Sequence, residues 1–171
     1  MQNLLKQYEE YKQFFSQVWT ADNPVEAIYE FRVAYLKKDT TFRDIAILGS
    51  QNFDDLAEVI IAAMGWENDH MYGFSFPQAE DDKNLFSYSP YTFFAPDWQE
   101  DQHPIFTSDQ IMICHINYDR FPMLRFEFDF GDSHLFEVSL KKIRKTQRDE
   151  TYKTLPKVIT QQGKPPKQYD S

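Results

Sequence analysis

The chain has 171 residues and a formal net charge of −9, from 27 acidic and 18 basic side chains. Hydrophobic residues make up 42% of it and aromatic residues 17%, so a chain of this length can bury a sizeable core without disulfides or metals. The acidic balance disfavours a nucleic-acid partner, because binding to the backbone depends on neutralising phosphates, and no apolar run approaches the ~20 residues of a membrane-spanning helix.

The cysteine count and the N-terminal residues bear on location. Cys114 is the single cysteine, so no internal disulfide can form, which is typical of a reducing compartment. Charged residues interrupt the apolar residues of the N-terminal segment, unlike those of a secretory signal. We therefore predict a cytoplasmic protein with no membrane partner. The basic run 141–148 is more typical of a solvated strand end than of a nucleic-acid site.

Residues 1–22 are predicted to form an amphipathic helix added in front of the main domain. Apolar residues recur at helical spacing and Asn23-Pro24 ends the pattern; they are Leu4, Leu5, Tyr8, Tyr11, Phe15, Val18 and Trp19. Such a helix packs on its own domain or binds a partner. Packing is the commoner outcome, because most amphipathic helices cover their own core.

The main domain, residues 23–160, begins with strand patterns. Alternating apolar and polar residues over Val25–Leu36 predict a half-buried strand, and Thr41–Leu48 predicts its hairpin partner. The alternation within His70–Phe76 predicts a third strand.

Asn52–Met64 carries the clearest helix pattern in the chain. Asn52 can cap its first turn, and Asp54 and Asp55 suit the positive end of the helix dipole. Gly65 follows at the position where a left-handed C-terminal cap is expected. These signals predict both ends of the helix.

Pro77–Pro104 is the least regular part of the sequence. It is rich in proline and aromatic residues, and we expect a long loop with one short strand near Leu85–Tyr88. The loop either covers one face of the sheet or contacts a partner through aromatic side chains such as Phe94 and Trp98. The sequence favours neither alternative.

The strongest strand signal lies at Met123–Leu140. Two alternating runs flank Gly131-Asp132-Ser133, which predicts a central β-hairpin whose turn needs the glycine. Before it, Ser108–Asn117 has mixed signals, and we expect a short helix there.

The C-terminal part is more polar. A last strand is expected over Leu155–Ile159, and residues 161–171 form a polar tail that we expect to be extended or mobile after Gly163. Together these elements predict a single-domain α+β fold. It has a mainly antiparallel sheet, a packed helix and a central hairpin.

Several short motifs occur in a recognisable order. They are Gly65-Trp66 with His70, Tyr72 and Phe74; Phe126 and Phe128 with Asp129-Phe130-Gly131-Asp132; and Leu155-Pro156 with Gly163 and Pro165-Pro166. With a strand-like match at Phe42, Arg43 and Ile45, they resemble the Ri-plasmid ORF-three-like family, also labelled transposon-passenger TnpR-like, over about Val25 to Pro166. The resemblance implies a compact α+β domain with an antiparallel sheet. It implies no established activity.

The chain also departs from that family pattern. His134 and Phe136 stand where the family usually has a tryptophan and a histidine after the acidic turn. After the two prolines the family usually has an acidic residue and a glycine pair, where this chain has Lys167, Gln168 and Tyr169, and the family's usual C-terminal helix is not expected here. A polar site built from these family positions would be incomplete here.

A divalent-metal site is one chemical interpretation of the acidic turn. Asp129, Asp132 and His134 could ligate a metal, with His70 from elsewhere, because carboxylates and imidazoles suit several divalent ions. The structural interpretation is favoured, since aspartates in hairpin turns commonly hydrogen-bond the turn backbone. His134 falls on the apolar face, which is typical of a hydrogen-bonded core histidine.

The sequence therefore favours a non-enzymatic protein-binding or adaptor domain. Its candidate binding residues are Trp66, His70, Phe94 and Trp98, because exposed aromatic side chains supply affinity at interfaces. The alternative is a divalent-metal-dependent hydrolase, or its degenerate relative, centred on the acidic turn. We assign no catalytic residue and no cofactor other than a possible divalent metal.

Overall fold

The computed structural model describes residues 2–37, 40–77, 92–97 and 106–169. The helices and strands are α1 (Gln2–Val18), β1 (Ala27–Tyr35), β2 (Phe42–Leu48), α2 (Phe53–Ala63), β3 (Tyr72–Ser75), β4 (Thr92–Phe94), β5 (Met123–Phe128), β6 (His134–Lys145) and β7 (Lys157–Gln162). The strands form one seven-stranded sheet in the order β4-β3-β5-β6-β1-β2-β7. Every neighbouring pair is antiparallel, which confirms the predicted single-domain α+β fold.

One face of the sheet carries the main core. Alternate residues of β1, β5 and β6 point into it, as the period of two predicts, and Phe31, Phe126 and Phe136 have no exposed surface. Helix α2 buries Phe53 and Leu56 in the same core. The core is rich in aromatic rings, and edge-to-face or tilted pairs such as Phe53 with Phe74 fill it.

Helix α2 begins and ends where the sequence predicts. The Asn52 side chain accepts from the Asp55 amide at 2.8 Å, and the Asp55 carboxylate accepts from the Asn52 amide at 3.0 Å. This capping box satisfies two amides that no helical partner can reach. Gly65 follows with a φ of 70°, a left-handed conformation that glycine adopts without a steric penalty.

The predicted hairpin is formed by β5 and β6, but its turn differs from the expected one. The residues with positive φ are Asp129 (59°) and Ser133 (53°), not Gly131. The Asp129 Oδ1 atom accepts from the amides of Gly131 at 3.0 Å and Asp132 at 3.3 Å. An aspartate can occupy the left-handed region when its short side chain bonds the local backbone, so the prediction that this turn needs glycine is wrong.

Helix α1 packs on the core through its C-terminal half. Phe15 and Val18 are buried, while Leu5 and Tyr8 near the other end are exposed. Beyond the helix, Trp19 forms an isolated bridge with Ile116 in the segment before β5. The packing alternative for the N-terminal segment is therefore confirmed for this half.

The segment before β5 is not the short helix that we expected. It forms two short 3₁₀ turns, Ser108–Gln110 and Ile113–His115. In the second turn the backbone pairs with distant residues, because the amides of Ile113 and Cys114 donate to the carbonyls of Gln51 and Gly49 at 2.8 and 3.0 Å. Long-range pairing has replaced the local helical bonds.

The last strand, β7, is displaced by two to three residues from its predicted position. It pairs with β2 along the sheet edge. The sequence predicts an extended or mobile tail after Gly163. The structure instead holds this tail against the domain. The tail folds back across the end of α2 and hydrogen-bonds to side chains there.

Two further expectations bear on the described ranges. The predicted strand near Leu85–Tyr88 lies outside them, and β4 is found later in the chain. Within those ranges, no helix combines the length and the apolarity needed to cross a membrane.

Candidate functional site

Four of the residues that the sequence singles out meet at one end of the sheet. Trp66 follows the C-terminus of α2, His70 precedes β3, and Asp129 and His134 flank the β5–β6 turn. The ring centroids of Trp66 and His134 are 4.3 Å apart, and His70 Nε2 lies 3.6 Å from Asp129 Oδ2. The antiparallel pairing of β3 with β5 brings His70 beside Asp129, because the Asp129 amide donates to the Met71 carbonyl at 2.9 Å.

His134 is a buried histidine with both ring nitrogens engaged. Its Nε2 atom lies 2.9 Å from the carbonyl oxygen of Gln168, which can only accept, so Nε2 carries the hydrogen. In the neutral ring Nδ1 then accepts from the hydroxyl of Tyr35 at 3.2 Å. The prediction of a hydrogen-bonded core histidine is confirmed.

The C-terminal tail crosses this end of the sheet without helix or strand structure after Gly163, and its backbone bends at Gln168 and Tyr169. The Trp66 indole donates from Nε1 to the Pro166 carbonyl at 2.9 Å, and His134 donates to the Gln168 carbonyl two residues later. Two aromatic N–H donors thus hold alternate main-chain carbonyls of one segment. We call the surface formed by Trp66, the backbone of Glu67, Asp69, His70 and His134 the tail-binding site.

The side chain of Gln168 makes a second set of bonds. Its Oε1 atom accepts from the Glu67 amide at 2.8 Å, and Nε2 donates to the Glu67 carbonyl at 2.8 Å. The same Nε2 donates to Asp69 Oδ1 at 2.9 Å. One primary amide therefore pairs with both backbone polar groups of Glu67 and with a carboxylate.

Tyr169 completes the tail-binding site. Its hydroxyl donates to Asp69 Oδ2 and lies 3.1 Å from His70 Nε2. The hydrogen bond from the hydroxyl lowers the pKa of Asp69, and the bond to the carboxylate raises the pKa of Tyr169 to about 12. Both directions favour a Tyr169 hydroxyl that donates to an ionised Asp69.

A buried arginine anchors the start of the tail. Arg43 on β2 is 4% exposed, and its guanidinium donates to the carbonyls of Gln162 at 2.8 Å and Gly163 at 3.2 Å. It also donates to Ala63 at the end of α2, and burial lowers its pKa. Arg43 therefore ties the end of β7 to the end of α2 beside the tail-binding site.

Two of the three predicted metal ligands, Asp129 and His134, are engaged by the protein itself. Asp129 Oδ1 holds the turn amides, both nitrogens of His134 have partners, and the side chain of Asp132 is exposed. Among residues 2–37, 40–77, 92–97 and 106–169, no three histidine, cysteine, aspartate or glutamate side chains are placed to hold one ion.

The structure does not describe the side chains of the other two predicted binding residues. Phe94 belongs to β4, where its backbone pairs with Gly73 of β3, and its side chain lies outside the described part of the structure. Trp98 also lies outside it. The structure thus brings Trp66 and His70 together and leaves these two untested.

Sequence reasoning missed the tail residues and Arg43. Gln168 and Tyr169 were placed in a polar tail whose composition favoured mobility. Arg43 had a usable signal, because it lies on the apolar face of an alternating strand, where a charged side chain needs buried partners.

Comparisons with known proteins bear on the fold. A family model described as plasmid pRiA4b ORF-3-like protein matches residues 27–169. A crystal structure of a protein of unknown function, MM3350 from Methanosarcina mazei Go1, is similar with a TM-score of 0.63 and 19% identity, covering 81% of this chain and 71% of that one. No curated protein matches the chain. At this identity the structural similarity establishes the fold alone.

Proposed function

We propose that this chain, which belongs to the plasmid pRiA4b ORF-3-like protein family, is a non-enzymatic protein-binding domain. Its binding surface is the tail-binding site, which holds a peptide segment by the main chain. The observation that carries this proposal is the pair of N–H donors, Trp66 Nε1 and His134 Nε2, on the carbonyls of Pro166 and Gln168. Main-chain bonds from an aromatic surface to a proline-containing segment are a recurring mode of peptide recognition.

The state of the polar groups supports binding over catalysis. A general base needs a ring nitrogen within reach of a substrate, and both nitrogens of His134 are bonded to protein atoms. A nucleophilic thiol needs exposure and a lowered pKa, whereas Cys114 is buried and burial raises its pKa.

The alternative, a divalent-metal-dependent hydrolase at the acidic turn, has less support. It requires Asp129 and His134 to give up bonds that hold the turn and the tail. Breaking those bonds costs free energy, and this cost lowers the affinity of the site for a metal ion. Metal analysis of protein purified without chelator would favour the hydrolase if it found one bound ion per chain.

The indole N–H of Trp66 provides a direct test of the proposal. In the full chain, proline-containing peptides at millimolar concentration should shift the Trp66 indole resonance in an NMR spectrum, because they compete for its hydrogen bond. The Trp66→Phe variant identifies that resonance. It also replaces the indole by a phenyl ring without the donor. In protein whose own tail is weakened by Gln168→Glu/Tyr169→Phe, peptide affinity should therefore fall about 5-fold to 10-fold, the value of one hydrogen bond. The proposal is contradicted if no peptide shifts the resonance.

A further inference from the structure

We infer that the tail-binding site reads a Gln-Tyr pair in a segment of another protein and holds the main chain of that segment at the glutamine and two residues before it. Residues 166–169 of this chain end in that pair and occupy the site as a displaceable internal ligand. The inference rests on the proposed function and adds to it a ligand sequence and a means of regulation.

The glutamine is specified by three hydrogen bonds with opposite requirements. Oε1 must accept from the Glu67 amide, and Nε2 must donate to the Glu67 carbonyl and to Asp69. A glutamate would set a carboxylate oxygen against that carbonyl and that carboxylate, which are both acceptors. A site whose acceptors are arranged to receive an amide N–H rejects a ligand that places another acceptor against them.

The tyrosine is specified by its hydroxyl. Asp69 and His70 both lie within hydrogen-bonding distance of that oxygen, and the ring of His70 meets the ring of Tyr169 edge to face at 5.7 Å. Phenylalanine would keep the ring contact and lose both polar contacts.

The position between proline and glutamine is tolerant. The side chain of Lys167 is exposed, while Pro166 and Gln168 on either side are half-buried. Tyr169 is exposed as well, but its hydroxyl bonds Asp69, whereas Lys167 has no side-chain bond to the rest of the described residues. The residue before the glutamine is therefore not read.

The internal ligand is held in a way that permits its release. Its side-chain contacts are made to partly exposed groups, Asp69 at 43% and His70 at 39%, where water competes for each hydrogen bond and its net contribution is small. Arg43 holds Gln162 and Gly163 in place, and Gly163 has a φ of 80°. Strand β7 can therefore stay paired while the segment after Gly163 leaves.

A partner protein is a better occupant than a second copy of this chain. Exchange of tails between two copies replaces each internal contact by an identical one and costs the freedom of two molecules. A partner must also displace this chain's own tail, but it can add contacts beyond those that the four tail residues supply. It competes with the high effective concentration of the attached tail, which is in the millimolar range for short linkers.

The test uses the full chain with a weakened tail, the double variant Gln168→Glu/Tyr169→Phe. The probe is a fluorescein-labelled peptide with the sequence of residues 164–169 and an amidated end, and binding is followed by anisotropy. The double variant should bind it at least 10-fold more tightly than the wild type. A peptide with glutamate in place of the glutamine should bind at least 10-fold more weakly. The matched control, alanine in place of the second lysine, should bind within 2-fold.

Each other result has a distinct meaning. Equal binding by the wild type and the double variant overturns the internal-ligand part. Binding without preference for glutamine and tyrosine overturns the ligand sequence and leaves the proposed function standing. No binding by a variant that melts like the wild type overturns both. If the double variant unfolds, the single variant Tyr169→Phe is tested by the same criteria. A wild-type dimer that dissociates on this substitution would assign the site to tail exchange between copies.

Discussion

At the scale of single residues, Asp129 shows how one side chain can shape a turn. It takes a left-handed conformation, and its carboxylate holds two amides of the same turn. The Ser133 amide closes the turn by donating to the Asp129 carbonyl at 2.6 Å. This turn places Asp129 Oδ2 beside His70, so the tail-binding site depends on the left-handed conformation of Asp129.

Replacing Asp129 separates its charge from its geometry. Asp129→Asn keeps an oxygen for the turn amides and a residue type that tolerates positive φ, so unfolding free energy should change by less than about 1 kcal/mol. Asp129→Ala loses both bonds and adds left-handed strain, and should cost about 2–3 kcal/mol. Urea denaturation of both variants measures the difference. Equal losses would show that the charge, not the turn bonds, matters here.

Some of the site was accessible at this scale from the sequence. His134 was predicted to be a core histidine because the strand period places it on the apolar face. The partner of its Nε2 atom could not be predicted, because Gln168 is 34 residues away and reaches it only through the path of the tail.

At the scale of elements, α1 has a buried half and an exposed half. Phe15 is 2% exposed and lies 5.2 Å from the ring of Phe106, whereas Leu5 is 61% exposed. Most helical stability in proteins comes from such tertiary packing rather than from helix propensity. The helix is therefore attached to the domain mainly by its second half.

Matched truncations test this division of α1. Phe15→Ala removes a buried ring and should lower the unfolding free energy by about 3–5 kcal/mol. Leu5→Ala at the exposed end should change it by less than about 0.5 kcal/mol. Thermal and urea unfolding of both variants give the comparison. A loss of more than 1.4 kcal/mol, a factor of ten in the folding equilibrium, for Leu5→Ala would place the first half of α1 against the core as well.

At the scale of the whole molecule, one ion-pair network holds the β6–β7 connection, which covers the face of the sheet opposite the main core. Arg144 on β6 donates to Glu30 on β1 at 2.7 Å and to both carboxylate oxygens of Glu150 at 2.6 and 2.7 Å. Glu150 also accepts from the Gln147 amide at 2.9 Å. The connection leads to Leu155, which is buried in a second apolar cluster with Ile28, Ala46 and Leu48.

The network predicts how the molecule responds to acid. Its bonds, chiefly from Arg144, lower the pKa of Glu150 to about 2 from a usual value of 4.5. A carboxyl group whose pKa is lower in the folded state adds stability above its unfolded pKa and loses that stability as pH falls. The contribution of Glu150 should be complete above about pH 5, decline below pH 4.5 and vanish near pH 2.

The Glu150→Gln variant isolates this contribution from the other acidic groups. At neutral pH it should be about 1–3 kcal/mol less stable than the wild type, because Arg144 loses a charged partner. The difference in unfolding free energy should shrink as pH falls towards 2. A difference that stays constant from pH 7 to pH 2 would attribute the loss to packing instead of charge.

The sequence by itself determined the parts of this protein that depend on near neighbours. The ends of α2 follow from Asn52, Asp55 and Gly65, which bond or bend the adjacent backbone, and the hairpin follows from the strict alternation on both sides of its turn. Hydrophobic periodicity is enough for such elements, since each face finds the core whatever the path of the rest of the chain.

Only the tertiary structure decided where the tail lies and what the site contains. The tail's hydrogen bonds join residues about a hundred positions apart, as in Trp66 with Pro166 and Glu67 with Gln168, and no local pattern records them. The 3₁₀ turn Ile113–His115 before β5 has the same origin, because its backbone pairs with the β2–α2 connection. Local propensity loses to such distant partners, since each satisfies a polar group that would otherwise be left without a bond.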